Sequence, residues 1–95
     1  MPARNEIVYG KGFLKDTNAL PKEAKQKLAW LIEILAENSL DSRLHTKPLE
    51  PPLKGKYSFR ITRDWRVGFK FLSGNHIQLL VVDHRSKIYR RMERL

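Results

Sequence analysis

Between Pro21 and Asn38 the apolar positions Ala24, Leu28, Leu31, Ile32 and Leu35 recur at three- and four-residue steps, with Lys22, Glu23, Lys25, Lys27 and Glu33 on other faces. A stripe of that period on an otherwise charged cylinder predicts a surface helix laid over a core. Pro21 suits its first position, where a missing N–H costs nothing. Upstream, Glu6 to Tyr9 is a short β-prone run closed by Gly10-Lys11-Gly12, which can supply the left-handed conformations of a turn. From Phe13 to Leu20, the spacing of Phe13 and Leu14 to Thr17 and Leu20 predicts a two-turn helix.

After Tyr57 the period becomes two. Tyr57, Phe59 and Ile61 alternate with Ser58, Arg60 and Thr62; Trp65, Val67, Phe69 and Phe71 alternate with Arg66, Gly68 and Lys70; Ile77 to Val82 is apolar apart from Gln78. These are three strands. Thr62-Arg63-Asp64 and Leu72-Ser73-Gly74-Asn75 are short enough for hairpins, so the strands should pair antiparallel in chain order, with the fully apolar one most central. Residues 39–56 hold Pro48, Pro51 and Pro52 without periodicity and predict a surface connection. The basic stretch Lys87 to Leu95 fits a last short strand or a terminal helix. The order implies an α+β fold: two N-terminal helices packed on one face of a small, mainly antiparallel four- to five-stranded sheet. A chain of 95 residues points to a single domain, 1–95.

Charge adds a direction to this frame. Residues 1–50 carry eight basic and seven acidic side chains, whereas residues 51–95 carry eleven basic and three acidic ones. The excess is threaded through strands and not gathered in a tail, which predicts a folded surface that holds polyanion. There is no cysteine and no long apolar run, so disulfides, thiolate metal sites and membrane spans are not expected, and the reading is a soluble cytoplasmic protein. No nucleotide-binding loop or metalloprotease spacing occurs. The three histidines are 31 and 8 residues apart and lack an acidic cluster, so neither a metal nor a cofactor is expected.

If the aromatic positions of the strands face the helices, alternation puts Ser58, Arg60, Arg66, Gly68 and Lys70 on the other side. That face is cationic, and Gly68 leaves a low spot on it where a ligand backbone could approach. His84 and Arg85 follow the apolar strand and Tyr89 comes four residues after Arg85. Such a site suits RNA cleavage by the RNA's own 2′-hydroxyl. A group must accept that proton, cations must stabilise the charge on the five-coordinate phosphate, and a group must protonate the departing 5′-oxygen. Arginine supplies fixed charge; His84, a lysine or Tyr89 could move the protons.

Several segments then become familiar together. Phe13-Leu14-Lys15-Asp16 with Leu20-Pro21-Lys22, Leu35-Ala36-Glu37-Asn38, Pro52-Leu53-Lys54-Gly55, Tyr57-Ser58-Phe59-Arg60, Trp65-Arg66-Val67-Gly68-Phe69 and His84-Arg85-Ser86-Lys87-Ile88-Tyr89-Arg90 resemble, in order and spacing, the RelE/ParE superfamily of toxins. The resemblance covers nearly the whole chain and implies the α+β fold read above. It also implies a metal-independent mRNA endonuclease acting at the ribosomal A site, with the ribosome, mRNA and a cognate antitoxin as partners in a hetero-oligomer. Arg66 and Arg85 would contact the scissile phosphate and Tyr89 would help in proton transfer or base stacking. Arg60 stands where relatives carry a basic residue. Ser58 departs from the pattern, which has lysine there, so Lys54, Lys56 or His84 would have to substitute. Lys54, Lys56, Arg60, Lys70 and Arg90 are the expected RNA-binding cations. Two other readings stand beside this one: a ParE-like inhibitor of DNA gyrase, and a basic RNA-binding homologue without catalysis.

Overall fold

The computed structural model of the chain describes residues 4–95. Strand β1 (Glu6–Tyr9) is followed by helices α1 (Phe13–Asn18) and α2 (Lys22–Glu37). A single 3-10 turn (Ser42–Leu44) and a two-residue strand β2 (Lys47–Pro48) interrupt the proline-rich connection. Strands β3 (Lys56–Arg60), β4 (Trp65–Ser73) and β5 (His76–His84) and helix α3 (Ile88–Glu93) complete the chain. The predicted elements are present, and the tail is a helix. Gly12 precedes α1 with φ 86°, a conformation that a side chain would strain.

The sheet order is β1-β5-β4-β3-β2, with β1 parallel to β5 and every other pair antiparallel. The apolar strand β5 is therefore not the most central; β4 is. The expectation missed that β2 would form in the loop and add a second edge beyond β3. Helices α1 and α2 cover one face as expected. Phe13, Leu28, Leu31 and Leu35 pack there on Phe59, Val67, Phe69, Ile77 and Leu79, all close to fully buried. On α2 the buried stripe runs through Ile34, and Ile32 is only half-buried. Tyr57 and Phe69 stack across β3 and β4 with ring centroids 5.6 Å apart, and Phe71 meets Tyr57 edge-on at 5.3 Å. Aromatic pairs of this kind add about 0.5–1.5 kcal/mol each beyond their burial.

The opposite face is not the open cationic surface that alternation suggests. Helix α3 and the proline loop cover its middle, forming a second apolar cluster of Leu49, Leu53, Val81, Ile88 and Met92. The low spot at Gly68 is filled from inside the protein. A Cβ there would lie 2.5 Å from Sδ of Met92 and 2.7 Å from its Cε, so the glycine admits α3 and not a ligand.

Arg91 holds α3 in place. Its Nη2 donates to both carboxylate oxygens of Asp16 on α1 at 3.1 Å, and its Nη1 donates to Asp83 at 3.0 Å. Partial burial works against the Arg91 charge, but the hydrogen bonds to Asp83 and Asp16 outweigh it and the pKa is raised. Beyond the end of β1, the N–H of Val82 donates to Asp16 at 3.4 Å and its carbonyl accepts from Arg91 at 3.4 Å. Two side chains thus occupy an edge that another strand could otherwise join. Arg91→Ala is expected to leave two half-buried carboxylates without their partner and to lower the thermal midpoint by several degrees, in line with a loss of about 1 kcal/mol or more in a domain this small. Hydrogen exchange should show α3 losing protection first; uniform loss across the sheet would contradict the anchoring role.

Candidate nucleic-acid interface

At the end of the sheet where β3 stops and β4 begins, Arg60 lies directly opposite Arg66, and Arg66 lies opposite Asp83 on β5. Like charges directly across a strand pair are destabilising. Among the described residues neither Arg60 nor Arg66 makes a salt bridge, and Asp83, across from Arg66, is engaged by Arg91. Nη2 of Arg60 instead lies 3.2 Å from Nε2 of His45. A guanidinium can only donate, so that nitrogen is the acceptor and the neutral ring carries its hydrogen on Nδ1.

His45 reaches this position through an uncommon backbone conformation, φ 52° and ψ 44°. The turn before it is fixed from both ends: Leu44 is buried in the main core, and Asp41 accepts from the backbone N–H and the Nε of Arg43, each at 2.9 Å. The hydrogen bonds from Arg43 lower the Asp41 pKa to about 2, so this cap stays ionised across the neutral range. Sequence reasoning treated His45 as a loop residue, because only the folded turn carries it to Arg60.

Arg85 joins the same end. Its N–H donates to the Asp64 carbonyl at 2.7 Å, and its Nε lies 3.6 Å from the Asp64 carboxylate, two residues from Arg66 in the β3–β4 turn. Both side chains of that pair are about half exposed, which leaves Arg85 weakly held and free to turn to a ligand.

His84 is separated from Arg66, and the reason is a bulge. Gly68 pairs with Val81 and Phe69 with Leu79, so Leu80 has no partner and the alternation of β5 reverses beyond it. Asp83 then shares a face with Arg66, whereas His84 shares one with Trp65 and meets its ring edge-on at 5.7 Å. Nδ1 of His84 also accepts the Ser86 N–H at 3.1 Å. The neutral ring therefore carries its hydrogen on Nε2, which suits a donor and not a proton acceptor.

Tyr89 lies in the first turn of α3, half-buried on the second cluster, beside a cleft of about 400 Å³ lined by Lys47, the three prolines and Glu93 among others. The ammonium of Lys47 sits 5.7 Å from the centre of its ring. Lys47 is the partner of Ser58 across β2 and β3, so it rises from the sheet beside the serine on the same face. A lysine from the neighbouring strand thus stands next to the position where one was missing. It had no signal in the sequence, because β2 is two residues long.

The remaining expected cations are divided. Lys56 opposes Lys70, four residues along the strands from Arg60 and Arg66, a separation of about 13 Å. Lys56 donates to the carbonyl of Met92 at 3.2 Å and so caps the end of α3. Lys54 is exposed in the turn before β3 and Arg90 is exposed on α3, neither in an ion pair among the described residues. Arg60, Arg66 and Arg85 lie at one end of the sheet, and Lys47 pairs with Ser58, two residues from Arg60, with Tyr89 against it. Among the described residues no three His, Asp or Glu side chains are grouped as a metal would require, and no helix is long and apolar enough to cross a membrane.

No family model and no curated protein sequence matches this chain. Solved structures do. YafQ from Escherichia coli superposes with a TM-score of 0.73 at 23% identity, over 90% of this chain and 99% of that one. The toxin of a RelB–RelE antitoxin–toxin complex from Methanococcus jannaschii gives 0.69 at 26% identity, over 88% and 96%. A YoeB/ParE toxin from Agrobacterium tumefaciens gives 0.72 at 18%, over 84% and 98%. The resemblance to the RelE/ParE superfamily read from the residues is borne out: the chain has the fold of these toxins.

Proposed function

We propose, from its RelE/ParE fold and the charge at the end of its sheet, that this chain is the toxin of a toxin–antitoxin pair and cleaves mRNA on the ribosome without a metal. The observation that carries this reading is the opposed Arg60–Arg66 pair, neither member of which is in a salt bridge among the described residues, with Arg85 at the same end of the sheet. An uncompensated pair of guanidiniums is unfavourable until an anion arrives, and a phosphate can accept from both. In the reaction, the 2′-oxygen loses its proton, attacks the neighbouring phosphorus and expels the 5′-oxygen, leaving a 2′,3′-cyclic phosphate and a 5′-hydroxyl. Arg60, Arg66 and Arg85 stabilise the added negative charge where it develops. Lys47 and the Tyr89 hydroxyl are the groups for the two proton transfers. His84, with Nδ1 accepting from Ser86 and its ring against Trp65, offers its Nε2–H as a hydrogen-bond donor.

The partner that silences such a surface is a segment with acidic side chains that covers Arg66 and folds as it binds. The decisive experiment adds purified protein to a reconstituted translation reaction and maps mRNA ends by primer extension. Breaks within the A-site codon that require ribosomes are expected, with no effect on DNA supercoiling. Intact mRNA together with inhibited gyrase would replace this reading by the ParE-like one. Intact mRNA with retained RNA binding would leave a binding module without catalysis.

A further inference from the structure

A second cationic site lies around the free edge of β3, outside the cleavage residues except for Arg60. Strand β2 pairs only with Tyr57 and Ser58, so the edge from Phe59 onward is not joined by it. There α2, the 3-10 turn and the β3–β4 turn enclose a depression of about 390 Å³ lined by Lys27, Arg43, His45, Arg60, Ile61, Thr62 and Arg63. Four of these seven are permanent cations and none is acidic. Asp41 offsets Arg43 through its short hydrogen bonds, and Arg43 also lies 5.5 Å from the centre of the exposed Trp30 ring. Lys27 and Arg63 make no salt bridge among the described residues. Side chains from three separate elements therefore converge on one hollow with an unbalanced positive charge, and the strained backbone of His45 is part of what shapes it.

We infer that this depression binds a backbone phosphate of RNA, as a second point of attachment that docks the protein independently of the phosphate being cleaved. The inference rests on the proposed RNA-cleaving function and deepens it. Arg60 belongs both to the depression and to the Arg60–Arg66 pair, so the two phosphate positions are adjoining, and a ribonucleotide backbone can pass from one to the other around the β3 edge. The hollow has hydroxyl and guanidinium donors and no Phe, Tyr or Trp in its lining, and its one ring, His45, is held by Arg60, so its donors suit a phosphate better than a base. The phosphate could belong to the mRNA strand beyond the cleaved bond or to ribosomal RNA.

The test uses the full chain carrying Lys27→Gln and Arg63→Gln, two changes that break no ion pair and leave the core untouched. Affinity is measured against salt concentration, for non-cleavable single-stranded RNAs of increasing length and for empty ribosomes. For every phosphate that the variant no longer neutralises, the slope of log affinity against log salt becomes shallower by about 0.7 to 0.9. If the phosphate comes from the mRNA strand, the longer oligonucleotides show the smaller slope; if it comes from ribosomal RNA, only the ribosome titration does. Unchanged slopes in both titrations overturn the inference. A parent protein whose affinity hardly depends on salt would overturn the proposed function as well, whereas a steep parental slope that the variant retains would overturn only the second site.

Discussion

Replacing Arg66 by alanine is expected to lower the rate of A-site mRNA cleavage by about 10²- to 10³-fold, the usual loss when one preorganised donor to a developing charge is removed. The folded state should hardly notice. Arg66 is half-buried, makes no salt bridge among the described residues and stands opposite another arginine, so its removal also relieves a repulsion. The change in stability should stay within about 0.5 kcal/mol. Lys70→Ala is the matched control: it removes the same charge from the same strand and face, but at the end away from Arg60. Cleavage should fall only slightly there. Equal losses for the two variants would mean that total charge and not the Arg60–Arg66 position matters, and an Arg66→Ala protein that cuts at the parental rate would remove the proposed site.

The second large effect concerns how α3 is seated. Met92 is fully buried and fills the space above Gly68 that any other residue on the strand would occupy. Met92→Ala is expected to cost about 2–5 kcal/mol, a large part of the roughly 5–15 kcal/mol that holds a domain together. Gly68→Ala pushes a methyl against the same side chain, and overpacking of that kind costs about 1–3 kcal/mol. The double variant puts the new methyl into the new cavity. Urea unfolding should therefore find it more stable than the sum of the single changes predicts, by about 0.5–3 kcal/mol. Strict additivity would show that α3 is held elsewhere. The same loosening reaches the site, because Tyr89 lies one turn before Met92 on α3 and the two share a helix face. Met92→Ala should consequently lose cleavage even at temperatures where the protein remains folded.

What the sequence determined by itself is everything that a local period can encode. The stripe on α2, the alternation through β3 and β4, and the short strand at Glu6–Tyr9 each follow from side chains that must be sorted between core and water within a few residues. Those periods were enough for an α+β fold and the basic excess after residue 50 for a cationic surface, while the resemblance to the RelE/ParE superfamily is what implied the toxin fold and the roles of Arg60, Arg66, Arg85 and Tyr89. Decisions that depend on two distant segments meeting were not legible. The bulge at Leu80 is one unpaired residue in an apolar run without alternation, so no pattern announced that His84 would leave the Arg66 face and Asp83 would take its place. Met92 and Gly68 are 24 positions apart, and only packing shows that the glycine serves a helix. Lys47 and His45 come from a connection without periodicity, and each is brought to the site by interactions that form only in the folded chain: the pairing of β2 with β3, and the anchoring of Leu44 in the core. Local periodicity sorts each residue to a face, whereas the register between strands and the docking of helices decide which residues on that face become neighbours.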